Sequence, residues 1–229
     1  MTLLAAASTS AGELIAKVLP LAIGAAISPT VLIVVLVVLS GRAHPRARGA
    51  AYAAGAITVL LGLTVISLTV LRRSVTHRAG GDPVYAWIDL GAGVLLAVIG
   101  IRTLLTAPKP KKPRAEPEDP RPQLGRFFGI GVAIMLTNFS TLVLYVPAMK
   151  EVAIAHVGDG AKVLTVVLVL GITSILAWAP VLLDTVAPRA AARVLEPLNA
   201  FMTRHQRTLS VVVCFVFAVY FVVKGLRGL

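Results

Sequence analysis

The sequence predicts an all-α polytopic membrane protein with six transmembrane helices, arranged as two inverted repeats of three helices. Three observations predict this fold. First, 57% of the 229 residues are hydrophobic and only 14% are charged, whereas soluble domains are about half apolar and a quarter charged. Second, the chain contains six apolar runs of nearly membrane-spanning length. Third, a segment rich in proline and charge divides these runs into two groups of three.

The six runs are identified by length and composition. A helix needs about 20 predominantly apolar residues to cross the hydrocarbon core of a bilayer. The sixth run is shorter, so it must extend at either end or cross with little tilt. In chain order the predicted spans are residues 14–39, 49–71, 84–105, 127–149, 163–186 and 208–223.

The start of span one carries a helix-start signal. Ser10 and Glu13 have the spacing of a capping box, in which each side chain accepts a hydrogen bond from the backbone N–H of the other residue. The preceding residues lack a basic region, and their apolar stretch, 3–7, is too short for a secretory signal peptide. We therefore expect the first helix to begin close to Ser10.

Residues 107–123 separate two halves, 1–106 and 124–229. This segment cannot bury enough apolar surface to form a packed core, so we expect a solvated, disordered linker. Because three is an odd number, two halves of three spans have opposite orientations in the membrane, as in many secondary transporters. The peptides IGAAISPT (23–30) and IGVAIMLT (130–137) are identical at five of eight positions, as a repeat would produce.

A separate amphipathic helix is predicted near 189–205, between spans five and six. Its apolar residues fall on one side at helical spacing, and its arginines lie mostly elsewhere. We expect Pro197 to kink or restart this helix, because a helix-interior proline removes one backbone hydrogen bond.

The distribution of lysine and arginine predicts the orientation. The side of the membrane that holds the linker carries 14 of these residues, and the opposite side carries 8. The positive-inside rule places the linker and the amphipathic helix in the cytoplasm and both termini outside.

Span one is interrupted by Ser28, Pro29 and Thr30. Two interpretations are open. In the first, the proline makes a structural kink and the hydroxyls bond to the carbonyls that it frees. In the second, the helix is discontinuous, and its exposed backbone and hydroxyls bind substrate at mid-membrane.

Span four carries Thr137 and Asn138 in the corresponding region. A hydrogen bond between helices would by itself explain Asn138. However, polar groups at matching depth in both halves favour one shared site. We therefore expect Ser28, Pro29 and Thr30 to face Thr137 and Asn138 across a central cavity that binds substrate.

Asp89 and Asp184 are acidic residues inside predicted spans three and five. Intramembrane acids are costly and usually face the bundle interior or water, so both are candidate substrate-binding residues. Each also lies near an end of its span, where water or a basic partner would satisfy it. Trp178 and Pro180 in span five either shape a cavity or pack in the core.

Several classes of function lack the residues that they need. The basic residues lie in short clusters between apolar runs, as in loops that flank membrane spans, which argues against a nucleic-acid partner. Cys214 is the single cysteine, so one chain has neither a disulfide nor a cysteine-based metal site. The histidines lie in connectors without metal-ligand spacing, and no nucleotide-binding or hydrolase motif is present. We expect no enzyme activity, no metal and no cofactor.

Three peptides, AIGAAISPT (22–30), GRAHPRARG (41–49) and LEPLNAFMTRH (195–205), together with the six-span plan, resemble the GAP family. These are the peptidoglycolipid- and sulfolipid-addressing, Sap-like proteins of actinobacteria, within the lysine-exporter (LysE) superfamily. The resemblance implies a multi-pass plasma-membrane protein linked to export of small molecules or cell-envelope glycolipids. It carries the first-half motif over to Ser28, Pro29 and Thr30. The family's second half usually has Asn-Pro where this chain has Asn138-Phe139, so the resemblance leaves open whether span four is broken.

The sequence and the resemblance together predict a transporter that exports a small amphiphilic or lipid-linked substrate, driven by an ion gradient or passively. The alternative is a membrane partner that transports nothing itself and organises a machinery for envelope-lipid export. A membrane-embedded transferase or phosphatase ranks third, because no acid–base constellation supports it. The expected partners are membrane lipids, the substrate and, in the alternative, export proteins; a homo-oligomer is left open.

Overall fold

A computed structural model describes residues 10–41, 44–75, 83–105, 121 and 123–227. All regular elements within these residues are α-helices, which confirms the all-α part of the predicted fold class. Most of the linker predicted at 107–123 lies outside the described residues. The helices are α1 (Ala11–Ala26), α2 (Pro29–Leu39), α3 (Pro45–Val75), α4 (Pro83–Leu105), α5 (Leu124–Thr137), α6 (Phe139–Ile154), α7 (Asp159–Thr173), α8 (Ile175–Val186) and α9 (Pro188–Arg227).

The helix starts follow local sequence signals. The capping box predicted at the start of α1 is confirmed: Glu13 N–H donates to Ser10 Oγ, and Ser10 N–H donates to Glu13 Oε2, both at 3.2 Å. Helices α2, α3, α4 and α9 each begin with a proline. Proline suits this position because its fixed φ is helical and the first N–H of a helix has no intrahelical partner.

The membrane spans are less regular than six straight helices. In the described residues, two helices are long and apolar enough to cross a bilayer: part of α3, Pro45–Thr69, and α9. Three bent pairs raise the number to five if each pair is one span: α1–α2 bends by 54°, α5–α6 by 74° and α7–α8 by 72°. Helix α4 coincides with the third predicted span but is not one of these five.

Helix α9 differs from the prediction for the C-terminal region. The amphipathic segment predicted near 189–205 and the predicted span 208–223 form one helix of 40 residues that continues through Pro197. Of the two outcomes expected at Pro197, a kink or a restart, the restart is therefore wrong, because a long helix can lose one backbone hydrogen bond without ending. At 1.5 Å per residue this helix is about 60 Å long, roughly twice the thickness of the hydrocarbon core.

Two helix pairs pack with their backbones in close approach. Helix α3 crosses α5 at Gly55 and Gly131, where an added Cβ would overlap the carbonyl oxygens of Phe128 and Tyr52. Helix α4 packs along α9, and a Cβ on Gly93 would lie 3.0 Å from the backbone nitrogen of Val222. Such small-residue contacts are typical of helix association in membranes.

The outer surface carries many exposed large apolar side chains, among them Val37, Val65, Val94 and Val216. An apolar surface of this extent fits contact with lipid.

The two halves share a bent pair at their start, α1–α2 and α5–α6, but the second bend of the C-terminal half, α7–α8, matches the continuous helix α3 of the first half. The six-helix inverted repeat and the orientation of the termini stay predictions.

Candidate functional site

The breaks of the first and second bent pairs are joined by a hydrogen bond. Asn138, between α5 and α6, donates from Nδ2 to Ser28 Oγ at 2.7 Å, and Ser28 lies between α1 and α2. The same amide contacts Thr141 Oγ1 at 2.8 Å, while Ser140 Oγ donates to Asn138 Oδ1 at 3.1 Å. These four side chains, Ser28, Asn138, Ser140 and Thr141, form a connected polar group that we call the Asn138 cluster.

The Asn138 cluster also satisfies the backbone at the first break. In an unbroken helix, the carbonyl of Ala25 would accept from the N–H of residue 29, which proline lacks. Thr141 Oγ1 donates to this carbonyl at 2.9 Å instead. Hydrocarbon offers no donor to a freed carbonyl, so a side chain from the other half of the chain takes that role.

The two threonines of the predicted site point elsewhere. Thr30 accepts a 3.4 Å hydrogen bond from Gln206 of α9. Thr137 donates to carbonyls of its own helix, those of Ala133 and Ile134. The structure thus brings Ser28 and Asn138 together with buried Pro29 beside them, and it leaves Thr30 and Thr137 outside the cluster. Ser28 and Asn138 touch directly, rather than facing each other across a gap.

Span four is broken at Asn138 without a proline. The backbone of Asn138 has φ −85° and ψ 68°, which is not helical, and its side chain pairs across the bundle. Asparagine can form side-chain hydrogen bonds that compete with the helix, so it can end one without proline. The question that the family's Asn-Pro motif left open is answered here: Phe139 begins α6, and the bend is present.

A third break, between α7 and α8, was not predicted. Ser174 Oγ donates back to the carbonyl of Leu170 at 2.7 Å, and Trp178 Nε1 donates across the bend to the carbonyl of Gly171 at 3.2 Å. Within the described part of the chain, the neighbouring Thr173 Oγ1 is buried without a hydrogen-bond partner. Two consecutive hydroxyl residues inside an apolar run were the sequence signal, but a hydroxyl can also bond within an intact helix.

Asp89 lies in a second polar group. Lys150 of α6 donates to Asp89 Oδ2 at 2.7 Å, and the two side chains are only 3% and 5% exposed. Lys224 of α9 lies 3.6 Å from the same oxygen and also pairs with Glu151. We call Asp89, Lys150, Glu151 and Lys224 the ion-pair cluster. The basic partner that the sequence left open for Asp89 is thus Lys150.

The two polar groups are separate sites. Asn138 directly precedes α6, and Lys150 lies twelve residues later in that helix, about 18 Å away along the axis. Asp184 belongs to neither group: it pairs with Arg46 at 3.1 Å, partly exposed to solvent, near the start of α3. The predicted acids Asp89 and Asp184 therefore do not share a site with Asn138.

Residues 18–227 match the model of the family described as Sap, sulfolipid-1-addressing protein. The chain belongs to this family. No curated protein and no solved structure matches it. The match agrees with the Sap-like resemblance noted in the sequence, and it fits a lipid-related role in a membrane.

Two surface cavities near the start of α9 are relevant to a member of a sulfolipid-addressing family. A groove of about 520 Å³ lies between α2, α8 and α9, with Leu32, Trp178, Pro180 and Leu198 among its lining residues. A neighbouring pocket of about 600 Å³ shares Val194 with this groove and is lined by Arg189 and Arg193. These arginines are four residues apart, so they lie on one face of the helix.

The predicted site did not include Ser140, Thr141, Lys150, Glu151 and Lys224. Ser140 and Thr141 belong to the polar stretch that the sequence shows around Asn138, but they were not assigned to the site. Lys150 and Lys224 were counted with the loops, although Lys150 lies buried inside α6. The available sequence signal was the adjacent pair Lys150 and Glu151 directly after an apolar run. Their partners in the fold, Asp89 and Lys224, are distant in sequence.

Proposed function

We propose that the protein is a membrane transporter that exports an amphiphilic or lipid-linked substrate. The observation that carries this proposal is the hydrogen bond between Ser28 and Asn138, which connects the breaks of two bent membrane helices. Transporters commonly bind substrate at such discontinuous helices, because the breaks offer polar groups at membrane depth. A substrate head group that replaced Ser28 as the partner of Asn138 would find a donor and an acceptor already in place.

The groove beside α9 is the proposed entry for the lipid part of the substrate. Its walls are apolar, and its volume of about 520 Å³ leaves room for part of an acyl chain. Arg189 and Arg193 in the adjoining pocket have the charge that favours a sulfate or another acidic head group. A sulfated glycolipid has both parts, which supports this substrate class for a member of a sulfolipid-addressing family.

The alternative is a membrane partner that organises envelope-lipid export and transports nothing itself. This alternative also accounts for the direct contact of Ser28 with Asn138, since no substrate fits between two atoms 2.7 Å apart. In this reading the Asn138 cluster only holds the two broken helices together.

Reconstitution separates the two candidates. The purified chain is placed in vesicles that contain a fluorescent sulfated glycolipid in both leaflets, and a membrane-impermeant reductant then bleaches the outer leaflet. A transporter moves probe outward, so bleaching proceeds beyond the outer-leaflet fraction, whereas protein-free vesicles stop at that fraction. If bleaching of vesicles that contain the protein also stops at the outer-leaflet fraction, with and without an ion gradient, the protein is a membrane partner and not a transporter.

A further inference from the structure

The ion-pair cluster connects helix α6 to the closely packed helices α4 and α9. Asp89 of α4 and Lys224 of α9 lie on the pair α4–α9, whose backbones approach closely at Gly93. Lys150 and Glu151 are consecutive residues of α6. Both short ion pairs, Asp89–Lys150 and Lys224–Glu151, therefore cross the same boundary, between α6 and the α4–α9 pair.

Stability alone is a weak reason for such a cluster. Removing charges from water costs several kcal/mol for each ion, and an apolar replacement is often as stable as a buried pair. Ionisable residues within membrane segments commonly mark transport pathways. Among the described residues, one oxygen of Asp89, Oδ1, is buried without a hydrogen-bond partner, so the ion pairs do not fully satisfy the carboxylate.

The arrangement lets the boundary open without leaving a net charge on either side. If α6 moves away, Asp89 keeps Lys224, which already lies 3.6 Å from Oδ2 on its own side. Lys150 and Glu151 leave together, so each side of the boundary carries one positive and one negative charge. An exchange of partners thus costs less than the separation of isolated ions would.

The cluster and the groove lie at opposite ends of the bundle. Leu198 of the groove and Lys224 of the cluster are 26 residues apart in α9, or about 40 Å. We propose that Asp89, Lys150, Glu151 and Lys224 form a gate that closes the transport pathway at the end opposite to the groove, and that it opens by partner exchange. The gate gives these residues a role in transport, and it rests on the proposed transporter function.

Distance measurements test the gate independently of transport. Spin labels are attached to Trp87→Cys in α4 and to His156→Cys, two residues after the end of α6, in a Cys214→Ala background. Both positions are exposed and near the cluster. Pulsed electron paramagnetic resonance then gives the label-to-label distance in vesicles. The test variant is Asp89→Asn/Lys150→Met, which removes one crossing pair and leaves no isolated buried charge from it. The matched control is Asp184→Asn, which removes an ion pair at the other end.

The gate predicts one short distance in the parent protein and in Asp184→Asn, and an added population at longer distance in Asp89→Asn/Lys150→Met. An unchanged distance in a folded double variant would overturn the gate and leave the cluster as packing. If the double variant does not fold, Glu151→Gln/Lys224→Met is measured in the same way, with the same two outcomes. If the double variant shows the longer distance but the parent protein moves no lipid, the proposed transporter function is refuted. The boundary between α6 and the α4–α9 pair is then still mobile.

Discussion

Thr141 donates a hydrogen bond to the carbonyl oxygen of Ala25 at 2.9 Å, across the boundary between the two halves of the chain. This carbonyl is the one that Pro29 cannot reach, because proline has no N–H. The contact explains how a membrane helix tolerates a proline near its middle. It also makes the second half of the chain part of the structure of the first break.

The first prediction concerns this contact. Thr141→Val keeps the shape of the side chain and removes the donor, so we expect the free energy of unfolding to fall by about 1 kcal/mol or more. In a Pro29→Ala background, the new backbone N–H can bond to Ala25, and the same substitution should cost clearly less. Equilibrium unfolding in detergent micelles measures all four proteins of this cycle. Equal costs in both backgrounds would show that the contact does not depend on the proline.

A suitable control for that cycle is Thr137→Val. Thr137 also donates to backbone carbonyls, but these belong to its own helix, and the side chain lies outside the Asn138 cluster. We expect this substitution to change the unfolding free energy by less than Thr141→Val does, in both backgrounds.

The second prediction concerns the crossing of α3 and α5. Gly131→Ala places a methyl group against the carbonyl of Tyr52, so the helices must move apart and the protein should lose stability. Gly129→Ala is the matched control in the same helix, because no atom of the described residues that could clash lies within 4 Å of an added Cβ there. We expect Gly129→Ala to be neutral or stabilising, by up to about 1 kcal/mol, since alanine favours helix more than glycine. Thermal unfolding of both variants compares them, and equal losses would contradict the close crossing.

Much of the fold could be predicted from the sequence, since its signals are local. The capping box at Ser10, the prolines that begin helices and the apolar runs all act within a few residues. The break at Ser28 was also local, because Pro29 cannot continue the hydrogen bonds of α1. The break at Ser174 was missed because Thr173 and Ser174 resemble ordinary hydroxyl residues of an intact membrane helix.

The site was harder to predict, because it depends on contacts between distant residues. From their matching depth in the two halves, Ser28 and Asn138 were expected to face each other across a cavity, and the two side chains instead meet directly. The sequence similarity between residues 23–30 and 130–137 aligned Thr30 with Thr137, however, and neither belongs to the Asn138 cluster. The breaks themselves align Ser28 with Asn138, a different register. Lys150 became visible as the partner of Asp89 only in the folded chain.

The third prediction is the orientation, which rests on the uneven distribution of lysine and arginine. Ala47→Cys, at the start of α3, should lie in the cytoplasm, and His156→Cys, between α6 and α7, should lie outside. Both positions are exposed, so a membrane-impermeant thiol reagent reaches either from its own side. With Cys214 replaced by alanine, intact cells should label residue 156 and spare residue 47 until they are broken open. The reverse pattern would invert the predicted orientation.

The central claim is that the Asn138 cluster takes part in moving a lipid-linked substrate across the membrane. The most direct measurement is the initial rate at which a fluorescent sulfated glycolipid changes leaflets in vesicles that contain the parent protein, Asn138→Leu or Thr137→Val. Asn138→Leu removes the contacts to Ser28, Ser140 and Thr141, so we expect it to insert and fold but to lose at least tenfold in rate, while Thr137→Val stays within twofold of the parent. A folded Asn138→Leu protein that moves the probe at the parent rate would contradict the account.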